Sequence, residues 1–207
     1  INYLDRSVLW PDQHGGKPVD RGVAILTQSS NLAINITMQT RGLPISYIMS
    51  VGNQASLGFS KIGMYLLSDP RVTALGLHIE GIGDVRAFEK LAAKARKLGK
   101  SIAVLKVGKS AEARKAAQSH TASLAGDAQG AKSLFKRLGI AEVDRLEVLV
   151  ETLKIFHLNG PLLTKNVRSL SCSGGEASLV SDLGQEYGIK FPELEKENVS
   201  ELRSVLG

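Results

Sequence analysis

The sequence predicts an α/β protein built on a doubly wound parallel sheet, and three observations support this prediction. Short apolar runs bounded by turn residues recur along the chain, as expected for buried parallel strands. Segments with helical spacing follow these runs, and glycines stand where the helices should end. With 207 residues, the chain is long enough to bury a complete core.

The first strand and helix show the pattern most clearly. Residues 22–27 read Gly-Val-Ala-Ile-Leu-Thr, a short apolar run typical of a buried strand. Ser29, Ser30 and Asn31 follow, and such residues begin helices because their side-chain oxygens accept hydrogen bonds from free backbone N–H groups. Apolar residues then continue toward Gly42, and the helix is predicted to end at this glycine.

The same unit then repeats along the chain. The predicted order is strand 45–51, helix 58–68, strand 72–79, helix 84–98, strand 101–107, helices 110–117 and 127–138, strand 140–143 and helix 145–157. Five strands that alternate with helices predict a sheet of flavodoxin-like order with right-handed crossovers.

The chain is predicted to contain one domain and the beginning of another. Residues 1–21 show no sustained period and form an irregular opening segment, whereas residues 22–160 form the α/β domain. An Asn-Gly-Pro sequence at 159–161 marks the boundary. Beyond it, a strand at 166–171, a glycine turn and a helix at 176–187 resemble the opening of the first domain, and a last amphipathic segment covers 199–206. Residues 161–207 are too few for a complete domain, so we expect the truncated start of a second, similar domain docked on the first.

Composition and charge exclude several classes of function. Hydrophobic residues make up 43% of the chain, but no apolar run approaches the roughly 20 residues of a membrane span. The net charge is +6, yet aromatic residues are only 5% and do not alternate with the basic ones, so no nucleic-acid partner is predicted. We interpret the basic residues as solvated helix faces, with attraction of an anionic ligand as the alternative.

The cysteine count and the start of the chain bear on its location. Cys172 is the single cysteine, which fits a reducing compartment, and we predict a cytoplasmic protein. We interpret Cys172 as a packed small residue rather than a nucleophile. The chain opens without Met and without a signal-peptide pattern, so we expect it to be a piece of something longer.

Residues able to carry chemistry gather at one predicted edge of the sheet. In open parallel sheets, ligands bind beyond the carboxyl ends of the strands. Glu80 ends the third strand at this edge, and the loop that contains His120 can fold back to it. Two helices begin there, and their first residues are Ser29, Ser30 and Asn31 after the first strand and Ser173, Gly174 and Gly175 after the last.

This set of residues predicts phosphoryl transfer through a histidine. A neutral imidazole can attack an activated phosphorus, so His120 is the candidate nucleophile. Glu80 could accept a hydrogen bond from the other ring nitrogen and so orient the ring. Helix N-termini carry free N–H groups and a positive dipole end, which stabilise a phosphoryl group without a lysine.

Each feature also has a structural interpretation. A lone loop histidine is often a surface or capping residue, and Glu80 could simply end a strand. Ser29 and Ser30 are ordinary N-cap residues. The Gly174–Gly175 turn lacks a dinucleotide fingerprint and a P-loop lysine. The remaining histidines share no metal-ligand spacing, so no metal site is predicted.

Residues 118–126, Gln-Ser-His-Thr-Ala-Ser-Leu-Ala-Gly, closely resemble the Ser-His-Thr-Gly-Ser-Leu-Ala-Gly loop of the NDP-forming acyl-CoA synthetases, the succinyl-CoA synthetase-like ligases. Further segments resemble the family in the same order and spacing, namely 22–29, 50–55, 80–82, 105–110 and Gly174–Gly175 near Asp182. Two positions depart from the family pattern: Ser30 and Ala122 stand where glycine is usual.

The resemblance implies that His120 takes phosphate from a nucleoside triphosphate and passes it to a carboxylic acid, giving an acyl phosphate and then acyl-CoA. It also implies that Glu80 pairs with His120 and that the helices starting at Ser29–Ser30 and Gly174–Gly175 face the phosphohistidine. Residues 22–160 would be the succinyl-CoA synthetase-like domain of the ligase.

The resemblance further implies which molecules take part. CoA and ATP with Mg²⁺ would serve the full-length enzyme, together with a carboxylic acid. The family's CoA-binding and ATP-grasp domains have no counterpart in these residues, so the piece alone should be inactive and bind no cofactor tightly. A homo-oligomer is compatible with the family.

Two other functions compete with the ligase. One is a non-catalytic CoA- or nucleotide-binding regulatory module of a synthetase–acetyltransferase fusion. The other is a free-standing flavodoxin-like binding protein.

Overall fold

We describe a computed structural model of the protein over residues 1–7, 13–110, 112–113, 128–164 and 166–206. The strands are β1 Gly22–Thr27, β2 Ile45–Ser50, β3 Val72–Ile79, β4 Ser101–Lys106 and β5 Ala141–Val143. The helices of the described residues are α1 Ser30–Thr37, α2 Phe59–Ser68, α3 Val85–Lys97, α4 Ala128–Leu138, α5 Leu146–Asn159, α6 Gly174–Glu186 and α7 Lys196–Leu206. Most of the helix predicted at 110–117 and the start of the one at 127–138 lie outside the described residues, although residues 112–113 are helical.

The five strands form one sheet in the order β2-β1-β3-β4-β5, and all neighbouring strands are parallel. This is the flavodoxin-like order, so the predicted fold class is confirmed. Strand order reverses between β1 and β3, because the connection from β1 leads to one edge of the sheet and the connection from β2 leads back across it. The two strands are in register from Ala24 opposite Leu75 to Thr27 opposite His78.

Two apolar clusters cover the two faces of the sheet. The first packs helices α2, α3 and α4 against the sheet around Phe59, Phe88 and Phe135, all fully buried. The second packs α1 and α5 against the other face, with Ile36 and Leu153 at its centre. Because α1 follows β1, α3 follows β3 and the two helices lie on opposite faces, their N-termini flank the place where the strand order reverses.

Local signals set the helix ends. Ser29 and Asp84 are extended N-cap residues whose side chains accept hydrogen bonds from Leu32 N–H and Ala87 N–H. Gly99 and Gly139 follow the helices that precede β4 and β5 and have φ of +64° and +67°, a region that a glycine enters without steric cost.

The opening segment, irregular as a whole, also contacts the sheet. Tyr3 N–H donates to Ser46 O at 2.8 Å, and Ile48 N–H donates to Ile1 O at 3.0 Å. These hydrogen bonds satisfy part of the outer edge of β2.

The chain divides into two compact units, Ile1–Pro161 and Leu162–Gly207. In the second unit, the strand predicted at 166–171 is wrong. Asn166 makes a single bridge to Lys190, and residues 167–171 have no strand partner within the described part of the unit, so no ladder forms. Cys172 is exposed, contrary to its interpretation as a packed residue, because there is no sheet there to cover it.

Within the described parts of the chain, every helix is too short or too polar to cross a membrane.

Candidate functional site at the carboxyl edge of the sheet

The carboxyl ends of β1, β3 and β4 bring together an unusual number of buried polar side chains. Thr27, Gln28, His78 and Lys106 are each at most 7% exposed, and each lies at or next to the end of its strand. Burial of such groups is costly unless each is hydrogen bonded. Their partners therefore define the site.

The start of α1 lies at this edge. Ser29 is half-buried, and its Oγ accepts from Leu32 N–H at 3.2 Å, whereas Ser30 and Asn31 are exposed. In the part of the chain that is described, no hydrogen bond uses the N–H of Ser30 or Asn31. A helix start with open N–H groups can receive an anion.

Glu80 lies directly beside this helix start, because Gln28 connects the two. The side-chain Oε1 of Gln28 accepts from Glu80 N–H at 2.7 Å and from Gly81 N–H at 3.1 Å. Only an oxygen can accept both, so these contacts fix the orientation of the Gln28 amide. Gln28 Nε2 is buried and has no hydrogen-bond partner among the residues that the structure describes.

The carbonyl groups of the same two residues are also held by side chains. Lys106 Nζ donates to Glu80 O and to Val107 O, each at 2.6 Å. Gln54 Nε2 donates to Gly81 O at 3.0 Å. All four backbone polar groups of Glu80 and Gly81 therefore have side-chain partners.

Gln54 adopts an uncommon backbone conformation to make this contact. Its φ is +63°, in the left-handed region that costs most residues about 1 kcal/mol or more. Its Oε1 accepts from Phe59 N–H at 3.2 Å, which satisfies the start of α2, where the N-cap Gly58 has no side chain to do so. One amide thus joins α2 to the Glu80–Gly81 turn.

Two ionisable side chains under the edge are shifted by burial. Burial lowers the pKa of His78, and the charge of Glu80 opposes this only in part, so the imidazole is neutral at pH 7. Its Nδ1 is 2.9 Å from Thr27 Oγ1, which also accepts from Ser29 N–H at 3.0 Å. The pKa of Lys106 is also lowered, first by burial and then by the charge of Lys109. The charges of Glu80 and Glu142 oppose this only in part.

The remaining predicted site residues are placed as follows. His120 and its loop lie outside the described residues. Ser173, Gly174 and Gly175 belong to the second unit, Leu162–Gly207. There Ser173 caps α6 and accepts from Glu176 N–H at 3.5 Å, and a Cβ added at Gly174 would meet no described atom within 4 Å.

Three residues of the site received no role from the sequence, namely Gln28, Gln54 and Lys106. Lys106 ends an otherwise apolar strand, and a lysine in such a place must find acceptors. That signal was available in the sequence, but one of the two acceptors, Glu80 O, is a backbone group at the end of another strand. No grouping of three His, Cys, Asp or Glu side chains that could hold a metal occurs among the described residues.

The sheet order, together with the start of α1 at the point where the strand order reverses, defines a flavodoxin-like α/β domain. The chain belongs to the family of succinyl-CoA ligase-like flavodoxin domains, whose model matches residues 20–156.

Named relatives agree with this family. The alpha subunit of the ADP-forming acetate–CoA ligase II of Pyrococcus furiosus is 35% identical over 187 residues, which cover 89% of this chain and 40% of the subunit. The ADP-forming acetate–CoA ligase of Methanocaldococcus jannaschii is 32% identical over 191 residues, which cover 91% of this chain and 27% of that protein. The chain thus spans well under half the length of these relatives.

A solved structure matches as well. The dinucleotide-forming acetyl-coenzyme A synthetase 1 of Ca. Korarchaeum cryptofilum, in complex with phosphate and ADP, superposes with a TM-score of 0.77 at 27% identity. The match covers 93% of this chain and 41% of that one.

Proposed function

We propose that this chain is the phosphohistidine-bearing part of an ADP-forming acyl-CoA synthetase. The proposal rests on the two hydrogen bonds that Gln28 Oε1 accepts from Glu80 N–H and Gly81 N–H. They hold the Glu80–Gly81 turn beside the open start of α1, at the point where the strand order reverses. An anion site and a carboxylate are the two groups that a phosphorylated histidine requires. The family and the named relatives support the ligase assignment.

In the proposed reaction, one nitrogen of His120 attacks the γ-phosphorus of ATP, and the bond to the β-phosphate oxygen breaks to release ADP. A carboxylate oxygen of the acid then attacks the phosphorus, the P–N bond breaks, and an acyl phosphate forms. The thiol of CoA attacks the acyl carbon and phosphate leaves. Glu80 is proposed to accept a hydrogen bond from the other ring nitrogen, and Ser29, Ser30 and Asn31 to bind the phosphoryl oxygens.

Several finer points belong to the proposal. Ser173, Gly174 and Gly175 are proposed as the second phosphate-binding helix start, and residues 161–207 as the start of a second flavodoxin-like domain. Mg²⁺ is proposed to accompany the nucleotide, and the CoA-binding and ATP-grasp domains to lie elsewhere in the complete enzyme. The relatives named above are ligases, which favours this function over a regulatory module.

The test is to supply the complete enzyme with γ-labelled ATP and to map the label. We expect acid-labile phosphate at His120, its loss in His120→Ala, and slower labelling in Glu80→Gln at an unchanged melting temperature. His14→Ala is the matched control and should label normally. A His120→Ala enzyme that retains full activity would disprove the proposal.

A further inference from the structure

The backbone of Glu80 and Gly81 is held by side chains rather than by strand pairing. The four hydrogen bonds come from three residues at different places in the sequence, namely Gln28 after β1, Gln54 before α2 and Lys106 at the end of β4. We call these three side chains the Glu80 clamp. Gln28 and Lys106 are 5% and 2% exposed, so water does not compete for either contact.

The clamp is costly to maintain. Lys106 places an ammonium group in the interior against carbonyl oxygens, and Gln54 occupies the left-handed region. Burying a cation and straining a backbone both lower stability, and sites of this kind persist where geometry is needed. Closing a strand end does not require them, because backbone groups do so at the neighbouring end of β1, where Val51 N–H donates to Thr27 O at 2.8 Å.

We infer that Gln28, Gln54 and Lys106 are positioning residues that fix the Glu80 carboxylate for phosphorylation of the histidine. The inference rests on the function proposed above. A carboxylate that orients an imidazole must be held to a fraction of an ångström, and a misplacement of about 1 Å can cost roughly 100-fold in rate. The clamp supplies this precision from the backbone side, because it fixes both peptide groups next to the Glu80 side chain.

The molecule provides matched controls at the opposite end of the sheet. Lys100 Nζ donates to Leu67 O and Asp69 O, each at 2.7 Å, as Lys106 does to its two carbonyls. Gln39 Nε2 donates to Leu43 O at 2.9 Å, and Gln39 Oε1 accepts from Arg41 N–H at 2.8 Å. The side-chain amide of Gln54 likewise donates to one backbone carbonyl and accepts from one backbone N–H. These residues make the same kinds of bond far from Glu80.

The first experiment measures phosphorylation of the complete enzyme by ATP in single turnovers. We expect Lys106→Met and Gln28→Met to lower the maximal rate by about 10- to 100-fold while the KM for ATP stays within roughly twofold. Lys100→Met and Gln39→Met should retain the parent rate. Equal rates in the Lys106→Met and Lys100→Met enzymes would overturn the inference.

A second variant separates positioning from folding. Gln54→Glu keeps an acceptor for Phe59 N–H but removes the donor to Gly81 O, so α2 stays capped while the clamp opens. Asn53→Asp is the control, since it adds the same charge one residue away and keeps the acceptor for Ala55 N–H. We expect slow phosphorylation in Gln54→Glu alone and faster hydrogen exchange at Gly81. Equal rates and equal exchange in the two variants would overturn the inference even if the buried variants fail to fold.

His120→Ala, measured in parallel, separates this inference from the function on which it rests. If His120→Ala is active, the proposed function fails. If it is inactive but the clamp variants match their controls, only the clamp fails.

Discussion

At the scale of single residues, the carboxyl edge of the sheet depends on the protonation of a buried imidazole. His78 is 7% exposed and hydrogen bonds Thr27, whose hydroxyl also holds the N–H of the α1 cap residue. Protonation would place an unsolvated cation beneath the helix start. The neutral form is therefore part of the folded structure.

This gives a prediction for the dependence of stability on pH. The pKa of His78 is lowered by burial from an ordinary value of 6.5, so below that pH the unfolded chain binds a proton that the folded protein does not. The free energy of unfolding should be constant above pH 6.5 with respect to this group. It should then fall by up to about 1.4 kcal/mol per pH unit as the pH decreases toward the folded pKa.

Chemical denaturation at pH 7.5 and 5.5 measures the effect, with His78→Asn as the variant. His157 is a matched second site, because its Nδ1 is 2.8 Å from Thr73 Oγ1 and burial, then the charge of Arg21, lowers its pKa. We expect each single variant to lose part of the pH dependence and the double variant to lose more. An unchanged slope in His78→Asn would contradict the prediction.

At the scale of elements, the start of α1 has a structural task and, in the proposed function, a second task as an anion site. Ser29 Oγ satisfies Leu32 N–H, while the open N–H groups of Ser30 and Asn31 remain for a ligand. No acidic residue occupies the first turn of α1, whereas Glu176 lies in the first turn of α6. In the proposed function, a phosphoryl group would therefore meet less repulsion from the first turn of α1 than from that of α6.

Two substitutions at Ser29 separate these tasks. Ser29→Ala removes the cap and should cost about 1 kcal/mol in the free energy of unfolding. Ser29→Asp keeps a cap acceptor and should keep stability, but its charge should slow phosphorylation of the complete enzyme because it repels the incoming phosphate. Denaturation and γ-labelled ATP measure the two effects. Equal phosphorylation rates in the two variants would contradict an anion site at α1.

At the scale of the whole molecule, both large apolar clusters lie in the unit Ile1–Pro161. Within the described part of the second unit, Gly184 of α6 is buried against the ring of Phe191. Many of the larger apolar side chains of this unit are exposed. The first unit therefore contains the apolar interior that cooperative unfolding requires.

Truncation tests this division. A protein that ends at Pro161 should unfold in one calorimetric transition with an enthalpy of about 0.7 kcal/mol per residue, because both faces of its sheet remain covered. Truncation at Gly139 is the control. It removes β5 and α5, including the buried Leu149 and Leu153, and should abolish the transition. Loss of the transition already at Pro161 would show that the first unit needs the second.

Much of the fold could be predicted because its signals are local. The runs that form β1 and β3 are mostly apolar, and the caps Ser29 and Asp84 lie directly before their helices. The second unit shows the limit of such signals. Residues 166–171 have strand-like composition, but a strand exists only where a partner pairs with it, and the partner is not encoded locally.

The sequence by itself determined the class of fold, the candidate histidine and Glu80 at the end of a strand, because spacing and residue type are enough for each. Only the tertiary structure showed that Gln28, Gln54 and Lys106 meet around one peptide turn. Gln28 and Gln54 come from two connections and Lys106 from the end of β4, and each satisfies a backbone group that has no residue-specific signal. Parallel strand pairing brings these groups within hydrogen-bonding distance, and that pairing is a property of the folded chain.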